Sequence, residues 1–148
     1  DIITQHTDSP APLQVAEARG VHAFGQATDM SAFAPNAHLT AIVNNWGPYY
    51  IKQTKAAIDG SWKSTDSWVG LKGGMVKMAP YGSAVSADAK TAADAVVAGI
   101  IDGSLHPFQG PINNQKGEQV TKQGETVAIG ELLGMNWYVE GVQGELPK

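Results

Sequence analysis

Residues 39–43 form a short apolar, β-branched run that stops at Asn44-Asn45-Trp46-Gly47-Pro48, two amides and an indole ahead of a Gly-Pro break. An amide both donates and accepts hydrogen bonds, and an indole offers a broad flat face, so these residue types suit a small planar ligand with a polar edge. In open α/β sheets small molecules are held beyond the carboxyl ends of strands, which is where such residues stand. Two other segments have the same character: His6-Thr7-Asp8-Ser9 and residues 26–29 (Gln-Ala-Thr-Asp), each following a short apolar run. A structural reading stands beside each. Asn44 and Asn45 would turn the chain while Trp46 fills core, Asp8 would cap a helix, Asp29 would brace its loop as an Asx turn, and Gln26 would be a solvated amide.

Signatures of covalent or metal chemistry are missing. No Gly-x-Ser-x-Gly elbow occurs, so Ser9 and Ser31 read as cap and loop residues. Gly70-Leu71-Lys72-Gly73-Gly74 is dense in glycine, but it precedes a strand instead of following one, unlike a phosphate-binding loop. His6, His22, His38 and His106 lie far apart with no His-x-x-x-His pair, and the chain has no cysteine. Neither a metal centre nor a cofactor is expected.

Composition excludes further classes. The 148 residues suffice for one core, and 17 Gly, 8 Pro and 43% hydrophobic residues are ordinary for a globular chain. A net charge of −4 with only 10 Lys+Arg, none clustered, argues against a nucleic-acid partner. No stretch approaches the roughly 20 apolar residues of a membrane helix. The opening Asp1-Ile2-Ile3-Thr4 reads as a strand already under way, so the sequence is expected to be the later part of a longer protein.

The elements that would position the polar segments alternate. Strands are expected at residues 2–5, 21–25, 39–43 and 75–79. Asp8 or Ser9 should cap a helix that tolerates Pro10, carries Leu13 and Ala16 on its apolar side, and closes at Gly20. Gly47-Pro48 opens a second helix with Tyr50, Thr54 and Ile58 about a turn apart before Gly60. Residues 26–35 and 61–74 read as loops. Ser86 caps the clearest helix, in which Ala89, Ala92, Ala93, Val96 and Ile100 recur at helical spacing before Gly103. A hairpin (108–112 with 119–121) and a short helix near 131–135 follow. Strand–helix alternation implies an α/β fold with parallel pairing and helices flanking the sheet.

The runs Asp1 to Gln14, Gly20 to Met30, Leu39 to Tyr50 and Gly70 to Tyr81, with Leu105 to Ile112 and Leu132 to Val142 at the tail, together resemble the later half of the basic membrane protein (BMP) family. These are substrate-binding proteins of bacterial ABC importers with a type I periplasmic-binding fold. The resemblance implies a bilobed protein, periplasmic or membrane-anchored outside the cytoplasmic membrane, that closes on a purine nucleoside or nucleobase and presents it to an ABC transporter permease. Residues 1–43 and 61–148 would form most of the carboxyl-terminal lobe, with a C-terminal hairpin extension. Residues 44–60 would cross the hinge and pack on an amino-terminal lobe absent from the sequence. Ligand-facing segments of the family fall on Thr7, Asp8, Gln26, Asp29, Asn45 and Trp46, and no catalytic residue is implied.

One departure matters. Nucleoside-binding members read Gly-x-Asp at the end of the second strand, whereas here Gly25 is followed by Gln26. A carboxylate suits a ribose diol, which donates twice, while an amide suits the edge of a base. A nucleobase such as adenine is therefore expected, with a nucleoside as the close alternative. Two other classes use similar architecture: effector-binding domains of lactose-repressor-type regulators, and α/β hydrolases or nucleoside-cleaving enzymes, for which Asp8 or Asp29 would be the carboxylates.

Overall fold

A computed structural model describes residues 1–146. Its first compact unit, Asp1–Ile101, is built on a four-stranded sheet ordered β1 (Ile2–Ile3), β2 (His22–Ala27), β3 (His38–Asn44), β4 (Val76–Met78). The helices are α1 (Ala11–Arg19), α2 (Trp46–Ile58) and α3 (Ala87–Asp102). β1 pairs parallel to β2 and β2 parallel to β3, as the strand–helix alternation leads one to expect. The fold is thus α/β with a mostly parallel sheet flanked by helices.

β4 departs from that expectation by running antiparallel to β3, with Ile42 opposite Met78 and Asn44 opposite Val76. A parallel neighbour requires the chain to cross to the opposite end of the sheet before re-entering. Here residues 45–75 leave and return at one end, where the Asn45 backbone N–H donates to the Met75 carbonyl at 2.7 Å.

Local chemistry explains the helix ends. Pro10 occupies the N-cap of α1 and Ser9 Oγ accepts from the Ala11 N–H at 3.3 Å, whereas Asp8 caps nothing. The proline already sets a helical φ of −75°, so the cap position needs no carboxylate. Gly20 ends α1 in the left-handed region at φ 65°, where a side chain would be strained. Ser86 Oγ accepts from the Ala89 N–H at 3.2 Å, the N-terminal bond expected for α3.

The core lies on one face of the sheet. Leu13 and Ala16 of α1 pack with Ala23, Met30, Ala34 and Ala37, flanked by Ile3 and Val21. Burying a leucine of this kind contributes about 1.5–3 kcal/mol. Glu17 ties α1 to the chain entering β3: its carboxylate accepts from the backbone N–H groups of Asn36 (3.0 Å) and Ala37 (2.7 Å) and from the Asn36 amide. The opposite face is open by comparison. Ile2, Phe24 and Ile42 are exposed on it, and a cleft of about 430 Å³ separates Phe24 and Met78 from Ala89 and Ala93 of α3.

The second unit begins at Asp102. β5 (Ile112–Asn113) and β6 (Gln119–Thr121) form the expected hairpin, followed by α4 (Ile129–Leu133). β5 starts later than the apolar run suggested because Pro111 has no N–H for the ladder. The residues before it bond elsewhere, Gly110 N–H to the Glu125 carbonyl (2.8 Å) and Val127 N–H to Phe108 (3.1 Å). Gln115 locks the tail by donating to the carbonyls of Val142 and Gly144. Among the described residues no helix is long and apolar enough to cross a membrane.

Candidate functional site

The carboxyl ends of β2 and β3, together with the start of β4, gather polar and aromatic side chains along the open face. Gln26 stands opposite Ile42 in the register, and Ile42 and Asn44 are alternate residues of β3. Their side chains therefore point the same way, about 7 Å apart along the strand. Around them lie two adjoining concavities. One, of about 330 Å³, is lined by Gln5, Phe24, Gln26, Ile42 and Met78 among others. The other, about 380 Å³, is lined by Asn44, Trp46, Tyr49, Thr65, Asp66 and Val76 among others.

Trp46 does not fill core. The residue is 48% exposed, yet its ring is held: Tyr50, one turn on, stacks against it at 5.7 Å between centroids and 25° between planes, and Tyr49 meets it edge-on at 6.0 Å. An indole so braced presents an apolar surface with little freedom left to lose on stacking. Asn45, beside it, is committed to the fold: its side-chain amide donates to the Gly74 carbonyl at 2.9 Å.

Gln26 belongs to β2 and not to the loop assigned from sequence, because pairing with Ile42 extends the strand through Ala27. Ala27 has φ 64°, the left-handed region that residues other than glycine rarely occupy. The strain turns the chain sharply after Gln26, and strained backbone of this kind concentrates at functional sites.

Asp29 follows. Its Oδ1 accepts from the Ser31 N–H at 2.9 Å, the Asx turn that its spacing allowed. The Ser31 backbone N–H, then the Ser31 side chain, hold the carboxyl below the ordinary aspartate range, with a smaller pull from His38. Thr7 Oγ1 accepts from the Ser9 N–H at 3.2 Å, and Asp8 is exposed. Of the six candidates, Gln26 and Trp46 line the two concavities, Asn45 braces their rim, and Thr7, Asp8 and Asp29 line neither.

The structure adds residues that sequence reasoning passed over. Gln5 lines the smaller concavity, and its Oε1 is buried with no partner among the described residues. Thr65 and Asp66 reach the larger one from a connection whose sequence carries no periodic signal. Asn44, in the Asn-Asn-Trp run, joins them, and its place on the Gln26 face follows from strand alternation. No three carboxylate or imidazole groups among the described residues converge as a metal site would require.

A mostly parallel α/β sheet with amides and a braced indole gathered where its strands end is the kind of place at which α/β proteins hold small molecules. The chain belongs to the Bmp family of PnrA-like ABC transporter substrate-binding proteins, whose model matches residues 1–104. It is 53% identical over 148 residues to the purine-binding protein BAB2_0673 of Brucella abortus (strain 2308), covering all of this chain and 42% of that protein. It thus spans under half the length of this relative. Among solved structures it resembles a transcriptional activator of the comK gene from Bacillus halodurans, with TM-score 0.64 and 17% identity over 72% of this chain and 38% of that one. It also resembles an ABC transporter solute-binding protein from Conexibacter woesei DSM 14684, with TM-score 0.54 and 19% identity over 71% and 36%. At such identities the structural likenesses establish the fold alone.

Proposed function

We propose that this chain is the carboxyl-terminal lobe of the solute-binding component of an ABC importer, and that the complete protein closes on a purine nucleobase and delivers it to a membrane permease from outside the cytoplasmic membrane. The observation that carries the ligand class is the half-open Trp46 indole, braced by Tyr50, beside Asn44 and one strand from Gln26. A purine stacks on an aromatic face for about 1–3 kcal/mol, and edge amides supply identity because an unmatched buried donor or acceptor costs about 1–3 kcal/mol. The 53% identity to a purine-binding protein supports the same class.

Residues 44–60 cross the hinge in this reading. None of the residues of α2 is buried, and Ile51 and Ile58 are 67% and 82% exposed, as expected of a helix that packs on a second lobe. The protein carries its ligand and does not transform it. A nucleoside is the second reading, favoured by the ionised Asp29 carboxylate near the end of β2, which can accept from ribose hydroxyls.

Isothermal titration of the full-length protein with adenine, hypoxanthine, guanosine, ribose and amino acids tests the proposal, with mass spectrometry of the recovered ligand. Purine binding with unchanged ligand is expected. Binding of ribose or an amino acid with no purine signal overturns it, and a cleaved or hydrolysed purine identifies an enzyme.

A further inference from the structure

Among the described residues, Asp66 is the one charged residue lining either concavity of the candidate site. It shares the larger, of about 380 Å³, with Asn44, Trp46, Tyr49 and Thr65, and no lysine, arginine or second carboxylate lines that concavity or its neighbour. Lys63 and Lys72 belong to the same connection but line neither. Asp66 is also uncommitted to its own loop. Asp29, Asp59 and Asp102 each accept from the backbone N–H two residues on, at 2.9, 3.0 and 2.8 Å, and so close a turn. Asp66 accepts no such bond from Trp68, and its carboxylate has neither a hydrogen-bond donor nor an ion-pair partner among the described residues. The turn chemistry that accounts for the other three does not account for this one.

We propose that Asp66 is a specificity-determining residue of the ligand site: its carboxylate accepts from N–H groups on the edge of a base stacked against Trp46, and it repels a ligand that carries a phosphate. This assignment rests on the reading of the lobe as one wall of a purine site and deepens it by naming which purines the wall admits. A carboxylate only accepts, so it pairs with an N–H or O–H and with nothing that lacks one. A free base presents such groups at its ring nitrogens and, in adenine, at the exocyclic amine. Asn44, lining the same concavity, carries both a donor and an acceptor and completes either kind of edge.

The same carboxylate sets the charge of the ligand. Proteins that hold a phosphate supply arginine, lysine or the free N–H groups of a helix start. The two concavities offer no cationic side chain. The start of α2 at Trp46 does present backbone N–H groups, although Pro48 lacks one, and Asp66 already supplies to that concavity the negative charge they favour. A purine nucleotide therefore meets repulsion without a counter-charge, whereas an uncharged base meets an acceptor for its N–H groups.

The test is isothermal titration of the full-length protein and its Asp66→Asn and Asp66→Lys variants with adenine, adenosine and adenosine 5′-monophosphate at neutral pH. Wild type is expected to bind adenine, and to bind the monophosphate far more weakly than adenosine, which carries the same ribose without the charge. Asp66→Asn keeps the shape and one acceptor but loses the charge, and its adenine affinity is expected to fall roughly 10-fold. Asp66→Lys is expected to bind adenine more weakly still and to gain on the monophosphate relative to adenosine. Adenine bound by Asp66→Asn as tightly as by wild type, or the monophosphate bound by wild type as tightly as adenosine, overturns the proposal and leaves the proposed function standing. A wild type that binds no purine overturns both together.

Discussion

Asn45 donates its side-chain amide to the Gly74 carbonyl and its backbone N–H to the Met75 carbonyl, so one residue fastens the exit of β3 to the entry of β4. Its place in a ligand-like motif conceals this role, since an amide suited to a ligand's edge is equally suited to a neighbouring backbone. Asn45→Ala should therefore lower stability by about 0.5–1.5 kcal/mol, the usual net value of one intramolecular hydrogen bond. Asn45→Asp should cost more, because a carboxylate cannot donate to a carbonyl. Urea unfolding of the three proteins checks the order.

Gly25 permits the close approach of β2 and β3. A Cβ there would lie 2.8 Å from the Ala41 Cβ and 3.2 Å from His38 Nε2, both in the packed interior. Gly25→Ala should destabilise by about 1–3 kcal/mol through overpacking. An unfolding midpoint at or above that of wild type would show that the strands separate freely.

Burial pushes the His38 imidazole below its ordinary pKa of 6.5, against the opposing attraction of Asp29. The fold thus favours the neutral ring. As pH falls below about 6.5 the unfolded chain takes up the proton first, so stability is full above that value and declines below it until the folded form titrates too. Unfolding midpoints measured from neutral pH down to about 5 should show this decline, and His38→Gln should reduce it.

Gln26 tests ligand identity. Replacing it with Asp removes a donor to a ring nitrogen and adds an acceptor for ribose hydroxyls. At about 1–3 kcal/mol for a mismatched buried group, nucleobase affinity should fall roughly 5- to 150-fold while nucleoside affinity gains in proportion to it. A base-to-nucleoside affinity ratio unchanged in the folded variant would remove Gln26 from that role. Trp46→Ala, in contrast, should weaken both ligands together, since stacking does not distinguish them.

What the sequence reveals follows the range of the interactions involved. Gly20 at the end of α1 and Ser86 at the start of α3 act within four residues, and both were legible. The direction of β4 was not, because alternation in a short strand is the same whichever way it runs. Trp46 was legible by its neighbours as a residue at the end of a strand, whereas Asp66 reaches the same concavity through a connection of no regular pattern. His38 carries no local sign of burial, since its ring sits against Gly25 and Asp29, which come from β2 and the loop after it. The position of Asp8 misled because a strong capping residue stood two positions before a proline that had already fixed the turn.

The antiparallel return of β4 decides how the first unit can be taken apart. Antiparallel neighbours need as few as two residues to join them. β3 and β4 are therefore a hairpin into whose tip residues 46–74 have been inserted, with Asn45 and Met75 as the closing pair. The insert, α2 and its irregular tail, is a module that a short Asn-Gly turn can replace without breaking a strand. Such a shortened chain would retain the Leu13–Ala23–Met30 core and the His38–Asp29 pair, giving a miniature scaffold for NMR study.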